Sequence, residues 1–183
     1  MTRFPRSVSD YQKLQRQFDD LLQHIRSLEV FRHFLQGLSE SELRSLANDH
    51  TIVVLNVSAI RNDAFLITAD AIRILHLHSF SGSFIFDLTK SFLEAITQSN
   101  DLTQTRSAIK KIDSVLKNLW DHAVNPILQA LGFTQTPVSE MWPRVWWVRS
   151  GILSVLPFHA AGYHNSNPPR STLDRVISSI VDF

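Results

Sequence analysis

Eight histidines and no cysteine bound the chemistry this 183-residue chain can attempt. His159 lies in Leu156-Pro157-Phe158-His159-Ala160-Ala161-Gly162. With a thiolate beside it, such an imidazole would be a general base, but a chain without cysteine cannot supply the thiolate. The same absence removes disulfides and thiolate metal sites. A serine hydrolase would pair His159 or His164 with Ser154 or Ser166, yet no G-x-S-x-G elbow is present. His159 is therefore read as structural, or as pocket-lining in an intact relative.

His76 and His78 lie two apart on an expected strand, so both side chains face the same way, a spacing found in zinc and iron sites. With no carboxylate or third histidine near in sequence, they read as a satisfied or solvent-facing pair. His122, beside Asp121 and Asn125, reads as a packed helical histidine. Trp142, Trp146 and Trp147 could form a stacking platform, but on an alternating strand they read as core, with Trp146 and Trp147 on opposite faces. Arg61-Asn62-Asp63 lacks phosphate-loop glycines and reads as a turn. No catalytic, cofactor-binding or metal-ligating residue is assigned, and no cofactor is expected.

The elements that must position these residues follow from apolar spacing. Tyr11, Leu14, Phe18, Leu21, Leu22, Ile25 and Leu28 recur at helical intervals, predicting a first helix from about residue 9 to about residue 36, ended by Gly37. Ser39 and Glu42 form a capping-box signature for a short second helix with Leu43, Leu46 and Ala47 inward. The β-branched run Thr51–Val57 predicts a strand covered on both faces. Asp63–Thr68 and Ile72–Leu77 predict two further strands of a meander.

Helical spacing returns at Phe84, Leu88, Phe92 and Ile96, and again at Ile109, Ile112, Leu116, Leu119, Ala123 and Val124. Pro126 predicts a kink or restart, and Gly132 a helix end. Val145–Val148, a Ser150-Gly151 turn and Ile152–Val155 predict a hairpin. Residues 165–169 read as a loop.

Length and a hydrophobic content of 44% favour one domain with a helical extension. Eighteen Lys and Arg against seventeen Asp and Glu leave a charge of +1, so no global field favours nucleic acid or an anionic bilayer. The N-terminus has no apolar leader core, and the longest apolar runs, about five residues, fall far short of the roughly 20 that span a bilayer. The expectation is a cytoplasmic protein with no membrane and no nucleic-acid partner.

Four segments, in this order, resemble the CHAT family, caspase-like domains of fungal type often found with tetratricopeptide repeats. They are IRSLEVFRHFL, TIVVLNVSAIRNDAFLI, LWDHAVNPILQALG and WPRVWWVRSGILSVLPFHAAGYH, and STLDRVISS looks like the family's next segment. The last of the four is the most specific, and its Trp146, Trp147, Gly151, Pro157, His159 and Gly162 are the motif positions of structural interest. The resemblance covers nearly the whole chain but only about the first half of the family's domain. Catalysis in that family uses a later His-Gly-type histidine and a Ser-Ala-Cys-type cysteine, and neither motif is present here.

The resemblance thus implies an α/β fold, the N-terminal part of a caspase-like three-layer domain with a sheet flanked by helices. It implies a helical segment over residues 1–50 and a partial domain over 51–183, as a truncated product would have. The implied protein is non-catalytic in isolation, a pseudoenzyme or interaction module. Its partners would be tetratricopeptide-type helices, another caspase-like half or, through an uncovered strand edge, a second copy. The alternative is part of a cysteine peptidase whose catalytic half comes from another chain.

Overall fold

A computed structural model describes residues 8–58, 60–97, 102–138 and 140–182. The chain divides into two compact units, Met1–Glu40 and Ser41–Phe183. In the first unit, α1 (Val8–Arg26) carries the expected apolar stripe but stops ten residues before the expected end. The break is local. Ser27 Oγ donates to the His24 carbonyl at 2.7 Å, Leu28 is extended, and Arg26 Nε donates to the Phe34 carbonyl at 2.9 Å. A serine hydroxyl thus takes a carbonyl that a continuing helix would use, and a guanidinium ties the residues beyond the break back to the helix end.

The second unit is a mixed α/β domain. It is built from α2 (Glu40–Leu46), β1 (Thr51–Val57), β2 (Asn62–Ile67), β3 (Ile72–His76), α3 (Gly82–Thr97), α4 (Leu102–Leu119), α5 (Asn125–Ala130) and β4 (Arg144–Arg149), followed by β5 (Gly162–Tyr163), β6 (Arg170–Ser171) and β7 (Ile177–Asp182). The sheet order is β3-β2-β1-β4-β7, and β5 and β6 form a small separate pair. The meander is present as expected, with β1–β2 and β2–β3 antiparallel. Beyond it, β1–β4 and β4–β7 run parallel.

Strand alternation explains the layers. Val53, Leu55, Ala64, Leu66, Val145 and Trp147 face α3, α4 and α5, in one core with Ile85, Leu88, Val115 and Leu119. Ile52 and Ile67 face the other way and pack with Ala47, against which Leu43 of α2 also lies. β1 is covered on both faces by these two clusters, as its continuous apolar run requires, while Ile74 and Trp146 on the second face are partly exposed.

Three expectations need correction. Ile152–Val155 is not a strand: residues Gly151–Val155 form a 3-10 turn, because Gly151 enters with φ +58 and β4 already has β1 and β7 on its two edges. Of the apolar positions expected on the long helices, Leu88, Leu119, Ala123 and Val124 are buried and Phe84 and Phe92 pack on the core. Ile85, Ala95, Ala108 and Val115 are buried beside the expected stripe, but Ile96 and Ile109 are exposed. Leu46 of α2 is likewise exposed. Pro126 marks a restart as expected, but the turn before it, Trp120–Val124, is a π-helix. Its wider turn still buries Trp120, Ala123 and Val124 ahead of the proline. Gly132, at φ +84, ends the helix.

Candidate functional site

The parallel strands end along one edge of the sheet, where open α/β sheets place ligand sites. Two groups of polar side chains lie there. The first is built by the chain leaving β4. Buried Arg149, the last residue of β4, donates through Nη1 to the Leu156 carbonyl and lies 5.8 Å from the Phe158 ring centre. Phe158 in turn packs on Trp147 at 5.8 Å. The segment after Gly151 is thereby folded back beneath the strand, with Pro157 leading into the turn Phe158–Ala160.

His159 sits on that turn. Its Nδ1 is buried without a hydrogen-bond partner, and burial, reinforced by the Arg149 charge, holds its pKa below the ordinary imidazole value. Trp147, Gly151, Pro157 and His159 therefore gather around the end of β4, and Gly162 follows in β5. Trp146 does not join them. It lies on the opposite face, 38% exposed where Trp147 is 0%, stacked on His50 at 4.0 Å. The two tryptophans alternate as expected, and only Trp147 is core.

The serine pairings are not formed. Ser166 Oγ bonds the carbonyls of Tyr163 and Pro168, and His164 Nε2 donates to the Ala160 carbonyl at 2.7 Å. His122 packs edge-on to Phe84 at 4.6 Å. Among the described residues, no group of three His, Asp or Glu side chains is placed to hold a metal ion.

The second group was hidden in the sequence. Antiparallel register sets His76 opposite Asp63, and His76 Nδ1 lies 2.5 Å from Asp63 Oδ1. Arg61 Nε donates to Asp63 Oδ2 at 2.6 Å. Burial of the Asp63 carboxyl pulls its pKa upward, but the hydrogen bonds and charges of His76 and Arg61 outweigh this and hold it below the ordinary carboxylate value. Asp63 is 2% exposed and His76 47%, so a buried carboxylate orients a half-open imidazole. The ring borders a cavity of about 740 Å³, lined also by Arg61, Asn62, His78 and Ser83. The residues read as a turn, 61–63, thus supply the ion pair. The missing signal was the register of β2 on β3, which joins residues thirteen apart.

A scan against family models returns no match to this chain, and a search of curated proteins returns none. The fold and site define a mixed α/β protein with two polar clusters on one sheet edge. Among the described residues, no helix is long and apolar enough to cross a membrane.

Proposed function

We infer that the chain is a CHAT-type, caspase-like scaffold of the cytoplasm that performs no peptidase chemistry by itself and works by docking another polypeptide along β7. The observation that carries this is the state of that strand. Among the described residues β7 has a neighbour on one edge only, and Ile180 is 39% exposed although its register partner Trp147 is fully buried. The apolar face of the sheet therefore continues past its helical cover. An open edge with uncovered isoleucine accepts an added strand, main-chain bonds giving affinity and side-chain pockets specificity. A strand from another caspase-like half fits such an edge better than tetratricopeptide-type helices do, because helices cannot satisfy its unpaired backbone groups. A second copy of β7 is the competing occupant.

Absence of cysteine supports the non-catalytic part of the reading, since a thiolate cannot be replaced by the remaining groups. A cysteine peptidase completed in trans would use the same edge. Two measurements separate these readings. Size-exclusion chromatography with light scattering, alone and with a separately produced caspase-like C-terminal half, should show complex formation that Ile180→Lys abolishes while circular dichroism stays unchanged. Complex formation indifferent to Ile180→Lys would overturn the docking edge. A pooled peptide library should remain uncut by the chain alone, and cleavage lost in His159→Ala would overturn the non-catalytic reading. Cleavage by the mixed halves only would establish the peptidase completed in trans.

A further inference from the structure

The Asp63–His76 cavity has a use independent of the docking edge. Both Asp63 oxygens are engaged inward, Oδ1 with His76 and Oδ2 with Arg61. Asn62 is also committed, its amide donating to the Phe80 carbonyl at 2.8 Å and its oxygen accepting from the Ser58 backbone. What remains toward the cavity is the second ring nitrogen of His76, the His78 imidazole and the terminal nitrogens of Arg61, together with the Ser83 hydroxyl. That hydroxyl shares a 3.2 Å hydrogen bond with Ser81 Oγ and can donate outward when Ser81 is the donor in that bond. Among the described residues, no carboxylate lines the cavity.

The imidazole of His76 lies 5.9 Å from that of His78, edge to face. A carboxylate only accepts, so Nδ1 of His76 carries the proton it shares with Asp63, and in the neutral ring Nε2 is a lone pair. Arg61 and Asp63 already neutralise each other. The cavity is therefore neutral when both histidines are neutral and becomes a set of donors bearing positive charge once His76 takes a second proton. The other titratable groups around His76 are Arg61, Asp63 and His78; the start of α3 contributes only Ser81, Gly82 and Ser83.

The geometry points to a proton-coupled oxyanion site, in which Arg61, His76, His78 and Ser83 hold a phosphoryl-type group and the bound anion draws a proton onto His76 Nε2. A tetrahedral oxyanion suits donors arriving from several directions, and charge-assisted hydrogen bonds from guanidinium and imidazolium are the strong ones. The cavity volume leaves room for the organic part of a small phosphate ester.

Sulfate is the test ligand because its charge does not change across the imidazole range. Calorimetric titration is run at about pH 5.5 and about pH 8, on either side of the ordinary imidazole value of about 6.5. Wild type should bind roughly tenfold or more tightly at the lower pH, the worth of one charge-assisted hydrogen bond. His76→Gln, at a half-exposed position, should flatten that dependence, and Arg61→Gln should weaken binding at both pH values. Phenyl phosphate, compared with inorganic phosphate because both change charge in the same range, separates the sources: tighter binding of phenyl phosphate identifies an ester, and equal binding identifies the free oxyanion. Absence of sulfate binding at the lower pH, or a pH dependence that survives His76→Gln, would overturn the proposal.

Discussion

Gly162 lies so close to Ser171 that a Cβ on the glycine would overlap the serine Cα and Cβ and come within 2.6 Å of the Arg170 carbonyl oxygen. The two residues are register partners in the β5–β6 pair, and Gly162 also has φ +153, a backbone state that side chains disfavour. Ser171 is buried, and Thr172 next to it donates from its hydroxyl to the Phe158 carbonyl at 2.9 Å, so neither strand can retreat cheaply. Gly162→Ala should cost at least ~2 kcal/mol, since strain and overpacking act together. Urea denaturation measures it, and a loss under ~0.5 kcal/mol, the range of ordinary surface changes, would show that the pair relaxes freely.

The adjacent tryptophans should differ sharply in worth. Trp147 is wholly buried and its Nε1 donates to Ser178 Oγ at 3.2 Å, so Trp147→Ala should cost roughly 3–5 kcal/mol. Trp146→Ala loses a ring stacked on His50 at the surface and should cost about 1 kcal/mol. Equal losses in thermal or urea unfolding would contradict their assignment to opposite faces.

His159 should make the fold sensitive to acid. Its folded pKa is depressed, first by burial and then by Arg149. Below about pH 6.5, the ordinary imidazole value, the unfolded chain takes up a proton that the folded chain resists, so stability falls as the pH drops through that region. Chemical denaturation at stepped pH should show a shallower decline in His159→Gln than in wild type. Parallel curves would place the acid sensitivity elsewhere.

Tyr163 donates its hydroxyl to Asp121 Oδ2 at 2.5 Å, and this bond, with burial and the Asp121 charge, raises the phenol pKa. The difference between ultraviolet titrations of wild type and Tyr163→Phe should give a phenol titrating above the ordinary value of about 10. Asp121→Asn should bring that titration back down. A difference curve centred at or below the ordinary value would show that the bond does not persist in solution.

What could be read from the sequence was whatever periodicity controls. The meander over residues 51–77 follows from β-branched runs, and the alternation of Trp146 and Trp147 from the pleat. Pro126 and Gly132 announced a restart and an end because one lacks a donor and the other tolerates positive φ. What escaped depended on neighbours distant in sequence. Ile152–Val155 is apolar enough for a strand, but the sheet positions beside β4 are filled by β1 and β7. The helical register at Ile96 and Ile109 was set by packing against the sheet and not by the largest apolar residues. Asp63 found His76 only through strand register, and no local spacing reports that. Helix α1 stopped early through side-chain bonds of Ser27 and Arg26 that apolar periodicity cannot register.

β1 is antiparallel to β2 on one side and parallel to β4 on the other, and this asymmetry dictates an order of assembly. The β1–β2 connector is a few residues long, and such hairpins close in about 1–10 μs. The β1–β4 ladder joins strands separated in sequence by α3, α4 and α5, a non-local pairing that is intrinsically slow. During synthesis the β4-facing edge of β1 therefore stays bare while three helices leave the ribosome. Crowded polysomes should favour exchange of strands between neighbouring nascent chains at that edge, whereas dilute synthesis should favour closure within one chain.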